Sequence, residues 1–189
     1  MQHRFAFVVL LALAGCGYNE VVARDEDVKA AWAEVENQYK RRADLVPNLV
    51  RVVKGAANFE QETLQKVVEA RAKVGQIRID EGIINDPQRL QQFEKAQGEL
   101  SGALSRLMVV VERYPELKAT ESFRDLQAQL EGTENRVAVA RGRYIAAVAS
   151  YNKTVQLFPT SMGAWMRSKQ VRPTFQGTPG QENPPDVQL

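Results

Sequence analysis

The sequence predicts an all-α fold, an elongated up-and-down antiparallel bundle of four helices over residues 25–160. Two observations predict it. Apolar residues recur every three or four positions along almost all of that stretch, as one buried helix face requires. The last of these stripes, from Phe123 to Phe158, keeps its spacing over eleven positions without a slip.

The first helix opens at Asp25, a candidate N-cap, with Asp27 in its first turn and Val28, Trp32, Val35 and Tyr39 on one face. The spacing resumes at Val46, Leu49, Val53 and Ala56, then at Leu64, Val67 and Val74, so one stripe runs through Pro47. Either Pro47 kinks one very long first helix, leaving three helices, or Asp44 caps a second helix with Pro47 in its first turn, where a missing N–H costs little. Length favours the turn. A continuous helix from Asp25 to Ile79 would be about 80 Å long, against about 40 Å for the later helix from Asp86 to Tyr114, and Trp32 and Tyr39 would overhang uncovered. A reversal at Ala43 to Pro47 buries both rings.

Ile79 to Pro87 reads as a loop, with Asp86 as N-cap and Pro87 at the first position of the third helix. The stripe of that helix is Phe93, Leu100, Leu104, Leu107, Val111 and Tyr114, and Pro115 ends it. Gly98 and Gly102, one turn apart, read as a place of close helix packing. Thr120 or Ser122 caps the last helix, whose face is Phe123, Leu126, Leu130, Thr133, Val137, Ala140, Tyr144, Val148, Tyr151, Val155 and Phe158. Beyond Pro159, residues 161–189 form a largely irregular extension. Trp165, Met166 and Phe175 are expected to tuck onto the bundle, and Gln176 to Leu189 to be disordered.

Ahead of the bundle, Met1 to Arg4 is polar and positively charged, Phe5 to Leu13 is unbroken apolar, and Ala14-Gly15 are small. That is the layout of a secretory signal over residues 1–15. The uncharged run from Phe5 stops at Asn19-Glu20, short of the ~20 residues a membrane span needs. Leu13-Ala14-Gly15-Cys16 resembles the lipobox of bacterial lipoproteins. The resemblance implies diacylglyceryl transfer to the Cys16 thiol, cleavage before it and acylation of the new amino terminus, with residues 16–24 as anchor and linker. At about 0.8 kcal/mol per buried methylene, two or three acyl chains hold a domain on a bilayer where one does not. The membrane is therefore the first expected partner, on its periplasmic or extracytoplasmic face, and Gly17 points to the outer membrane.

Lysine and arginine number 25 against 23 acidic residues. Clusters such as Lys40-Arg41-Arg42 lie among Glu34, Glu36 and Asp44, as on a solvated helix face, so no nucleic-acid partner is expected. The only histidine, His3, leaves with the leader, and the only cysteine is the acylated one. That excludes histidine-dependent triads, Cys/His zinc sites, Glu-x-x-His bundle metal sites and disulfides; no cofactor and no enzymatic activity are expected. A carboxylate-only activity would draw on Glu60, Glu62 and Glu69, or on Glu131 and Glu134, to hold a hard cation or perform acid/base work. Loose packing at Ala138, Ala140, Ala146, Ala147 and Ala149 would instead open a groove for an apolar ligand. The favoured reading is an interaction module that binds other envelope proteins through exposed Arg41, Arg42, Asp44 and Asn48.

Longer motifs carry a family resemblance. Gly17-Tyr18-Asn19, Trp32, the run Gln38-Tyr39-Lys40-Arg41-Arg42-Ala43-Asp44-Leu45-Val46-Pro47-Asn48-Leu49-Val50, and Glu69-Ala70-Arg71 resemble the first half of LemA-family proteins. Glu112-Arg113-Tyr114-Pro115-Glu116-Leu117, Phe123-Arg124-Asp125-Leu126, Gln129 to Arg136, Tyr151-Asn152 and Phe158-Pro159 resemble the second half. The likeness spans residues 17–160 in order. It implies an up-and-down helical bundle held at a bacterial membrane, with no agreed catalytic residues. Two departures stand out: Gly55-Ala56 where the family often has glycine-tyrosine, and Phe59-Glu60 where it often has histidine-glutamate.

Overall fold

The structure, a computed structural model, describes residues 2–57 and 59–175, with side chains described from residue 19 onward. The described residues form helices α1 (Gln2–Lys54), α2 (Gln61–Gln76), α3 (Pro87–Val111), α4 (Pro115–Lys118), α5 (Glu121–Gln156) and α6 (Thr160–Met166), with a 3-10 turn at Glu81–Asn85. The long helices α1, α2, α3 and α5 alternate in direction, so the expected all-α up-and-down bundle of four is what forms. Its base lies beside Val21 and Asp25 of α1, and its tip where α1 ends at Lys54. At 1.5 Å per residue the buried face of α1 from Val21 to Val53 spans about 50 Å, matching α5.

The first reversal is not at Ala43 to Pro47. α1 continues through Pro47, and the chain turns at residues 55–60. Pro47 faces solvent while Val46, Leu49, Val50 and Val53 stay buried, so the apolar stripe holds the helix together across it. The missing proline N–H deprives the Ala43 carbonyl of its helical donor, and Arg71 on α2 supplies one, its Nε 3.1 Å from that oxygen. Trp32 and Tyr39 need no early turn to cover them. Trp32 meets Phe93 and Tyr144 edge-on, both at 5.4 Å, and Phe175 at 6.1 Å, while Tyr39 meets Phe93 at 5.1 Å. Ile83 and Ile84 in the 3-10 turn, which read as loop, complete the cover and are fully buried.

A thermodynamic cycle checks the Arg71 contact. Arg71→Ala should cost about 1 kcal/mol beside Pro47 and close to nothing in a Pro47→Ala background, where the substituted residue donates its own backbone N–H to the Ala43 carbonyl. Equal costs in both backgrounds, read from urea unfolding, would show that Arg71 does not serve that carbonyl.

Other local expectations stand or fall on hydrogen bonds. Asp86 caps α3 by accepting from the Gln88 and Arg89 N–H groups at 2.9 and 3.2 Å, with Pro87 beginning the helix. Thr120 caps α5, its hydroxyl accepting from the Phe123 N–H. Asp25 caps nothing, because α1 already runs through it from Gln2. Gly98 and Gly102 face open space, with no neighbouring atom within 4 Å of where a Cβ would stand. The expected close approach there does not occur. The α5 stripe is buried from Phe123 to Tyr151, Val155 is half-buried, and Phe158 lies exposed beyond the helix end. Gln176 to Leu189, expected to be disordered, lie outside the described residues.

The core has two parts. An aliphatic cluster at the tip includes Leu49, Val53, Leu64, Val67, Leu100, Leu107 and Leu130; an aromatic one at the base includes Trp32, Tyr39, Phe93, Tyr144, Tyr151 and Phe175. Between them lies a polar layer of Arg42 from α1, Gln97 from α3 and Thr133 from α5, all buried.

Candidate functional site

Of the four residues expected to meet a partner, Arg41, Asp44 and Asn48 are exposed on α1, and Arg42 is not. Only 1% of Arg42 reaches solvent. Its position follows from helix geometry: Tyr39, Arg42, Val46 and Leu49 repeat at three or four residues, so the basic side chain falls in the buried stripe. Nη2 of Arg42 donates to the Gln97 side chain at 2.6 Å and the Gln97 carbonyl at 3.1 Å. Nη1 donates to Ser101 and to Glu134 Oε1, the latter at 2.7 Å, and the guanidinium lies over the Tyr39 ring. These partners come from α1, α3 and α5, which makes Arg42 a joint of the bundle.

The same contacts account for the carboxylates. Glu134 is bound to Arg42, Glu60 to Arg113 at 2.7 Å and Glu62 to Lys66. Glu131 and Glu69 accept from Gln127 and Gln65. Each acid has its own cation or amide instead of sharing a common centre, and among the described residues no three metal-ligating side chains gather. Of the alanines expected to loosen the packing, Ala138, Ala146 and Ala149 face solvent and Ala140 is buried.

The tip of the bundle is concave. A surface cavity of about 730 Å³ is lined by Val52, Gly55, Ala56 and Ala57 on one side and by Arg113, Tyr114, Pro115, Glu116 and Leu117 on the other. Its apolar floor and charged rim follow from two local events: α1 stops at Gly55, and Pro115 ends the α3 run and starts the short α4. Beside it Phe59 is buried and stacks on Tyr114 at 4.8 Å, and the Arg113–Glu60 pair ties the α1–α2 turn to the end of α3.

At the base, the chain after α6 returns along the bundle as an extended strap. Asn152 holds the Arg172 backbone at both ends, accepting from its N–H at 2.8 Å and donating to its carbonyl at 2.9 Å. Tyr151 donates to the Gln170 carbonyl and Tyr144 to that of Pro173, both at 3.2 Å. Burial, only partly countered by the Arg172 charge, pushes the Tyr144 phenol up to about 12, which keeps it a donor. Buried Asp25 pairs with Arg172 at 2.8 Å and Lys169 at 3.1 Å, and Arg172 also donates to Asn85. Nothing in helical periodicity marks this strap; the Tyr151-Asn152 motif and Phe175, which docks in the core as expected, are its traces.

Comparison with known proteins places the chain. The magnetosome proteins MamQ 1 and MamQ 2 of Paramagnetospirillum magneticum are each 26% identical over 195 residues, an alignment covering 95% of this chain and 71% of theirs. Protein LemA of Metamycoplasma hominis is 24% identical over 144 residues, covering 76% of this chain and 61% of its own. The sequence pattern of the LemA family matches residues 31–189, from within α1 through α6 and the strap, and the chain belongs to that family.

Proposed function

We propose that the chain is a lipid-anchored spacer of the bacterial envelope, held to a membrane at its base through acylated Cys16 and offering its tip cavity to another envelope protein. The observation that carries this reading is the placement of the two features at opposite ends of α1. Cys16 precedes buried Val21 by five residues, while the cavity opens beside Gly55, about 60 Å from Cys16 along the helix. Among the described residues no helix is long and apolar enough to cross a membrane, and the acyl chains supply the attachment. Relatives that are magnetosome proteins favour a part in a cellular assembly. The spent histidine and cysteine, and the pairing of Glu60, Glu62, Glu69, Glu131 and Glu134 each with its own neighbour, favour binding over catalysis.

One experiment tests both ends. A photo-crosslinking side chain at Ala57, on the cavity rim, should give one reproducible adduct in membranes, whereas the same group at exposed Gly132 should not. Filling the cavity with Ala56→Trp should reduce that adduct about tenfold, the equivalent of ~1.4 kcal/mol of binding. Cys16→Ser should release the protein from membranes on salt washing and leave its helical content and melting unchanged. A Cys16→Ser protein that stayed membrane-bound through detergent-free salt washing would refute the anchor; matching adducts from Ala57 and Gly132 would refute the tip.

A further inference from the structure

α6 packs the opposite way round from an ordinary amphipathic helix. It lays its small residues, Gly163 and Ala164, against the bundle and turns Met162, Trp165 and Met166 outward. Trp165 is 82% exposed, Met166 66%, and Phe158 just before the helix 79%. Among the described residues, six of the ten exposed large apolar side chains fall between Leu157 and Val171. This concentration separates a functional surface from the single exposed apolar residues that any protein carries. The orientation is built in. The small buried face lets α6 approach α1 closely, and the helix ends in a Schellman motif, with Lys169 N–H donating to the Ala164 carbonyl and Ser168 N–H to that of Trp165, both at 3.0 Å. Ser168 sits in the left-handed region there, at φ 52°, and the strap that follows is pinned to Asp25.

Charge and position identify the occupant. From Asn135 to Gln181 the chain has no acidic residue and seven basic ones: Arg136, Arg141, Arg143, Lys153, Arg167, Lys169 and Arg172. Of these, Lys153, Arg167 and Lys169 are the ones near the exposed aromatic and methionine side chains in the chain; Arg136, Arg141 and Arg143 lie about 20–30 Å farther up α5, and Arg172 is buried against Asp25. On the base part of α1, the acids Asp25, Glu26 and Asp27 are each paired with a lysine or arginine, which leaves exposed Glu20 as the acid there outside those pairs. The exposed aromatic and methionine side chains also lie at the end of α1 from which the apolar run Phe5 to Leu13 extends, Asp25 being nine residues after Cys16. Tryptophan and phenylalanine flanked by lysine and arginine suit the boundary between headgroups and acyl chains, where anionic lipid adds attraction.

We propose that the outward face of α6, with Phe158, inserts into the surface of a bilayer containing anionic lipid. This contact rests on the membrane placement proposed above and adds a second attachment, which sets the tilt of the bundle and hence where the tip points.

The two tryptophans make the contact measurable in the full acylated chain. Trp32 is buried in the core and Trp165 exposed, so Trp165 alone can respond to lipid. In vesicles of phosphatidylethanolamine and phosphatidylglycerol, brominated acyl chains should quench the Trp165 share of the emission, and iodide in the water should not. Trp165→Ala, which removes no core contact, should abolish the bromolipid quenching while leaving the far-UV circular dichroism unchanged. In a Cys16→Ser background, Trp165→Glu should lower the weak residual vesicle partitioning by about tenfold or more, as expected for losing a partly inserted indole. Vesicle-bound protein whose Trp165 remains quenched by iodide would overturn the α6 contact and leave the Cys16 anchor standing. Shielding from iodide without bromolipid quenching would show that a second copy, or the chain's own C-terminal residues, covers the face, and would also overturn it. Residual partitioning that Trp165→Glu leaves unchanged would count against the contact in the same way.

Discussion

Arg42→Ala should cost the bundle about 2–5 kcal/mol, from buried hydrogen-bond acceptors that lose their donor and from the lost packing of a large buried side chain. The loss goes beyond one ion pair. Gln97 keeps a buried side-chain oxygen and a carbonyl that both accepted from Arg42, and the Tyr39 ring loses the guanidinium lying over it. Arg42→Lys should recover only part of the loss, because an ammonium cannot reproduce the planar fork that reaches α3 and α5 together. Glu134→Gln should be mild, within about 1 kcal/mol, since half-exposed Glu134 keeps an oxygen that can accept. Urea unfolding of the four proteins, with slopes compared, reads these differences directly. An Arg42→Ala protein as stable as its parent would mean that the polar layer contributes nothing to the fold.

Asp25→Asn should detach the C-terminal strap, at a cost of about 3–5 kcal/mol, by leaving buried Arg172 without its anion. Acid should produce the same state in the parent protein. Burial alone would raise the Asp25 carboxyl, but the bond from Lys169 and the charges of Arg172, Lys169 and Lys29 outweigh it and hold the pKa below the ordinary 3.8. A carboxylate depressed on folding stabilises fully above its unfolded value and loses that contribution as pH falls through its folded value. The strap should therefore be secure at neutral pH and release below about pH 4. Tryptic cleavage after Lys169 is the readout at neutral pH: slow in the parent and fast in Asp25→Asn. Hydrogen exchange at residues 169–175 follows the acid transition. Equal cleavage rates would mean that Asn152, Tyr144 and Tyr151 hold the strap without the charges.

The helices are legible because they follow local rules. The Asp86 and Thr120 caps and the α5 face from Phe123 to Tyr151 depend on neighbours within a turn or two, and these the sequence states openly. Two of the misread features depend on a partner distant in sequence. Pro47 looks like a turn because its helical interior becomes tolerable only when Arg71, on another helix, serves Ala43. Arg42 looks like a surface group because its charge overrides its place in the apolar stripe; its acceptors lie on α3 and α5. Trp165 and Met166 are expected inside because they are large and apolar, whereas the chain buries Gly163 and Ala164 instead. Of the proposed site residues, Arg41, Asp44 and Asn48 are exposed as expected, but the cavity lies one to two turns farther on, where the chain reverses.

The Arg42 layer also governs how the molecule answers force. A purely apolar seam would let one helix slide along another by a turn at modest cost, since leucine replaces leucine. Here such a slip would carry a guanidinium into either the aliphatic or the aromatic half of the core and strand Gln97 behind it. Tension between a membrane at the base and a partner at the tip would thus meet a bundle whose helices are keyed against shear, and the distance between its two ends would stay fixed under pull.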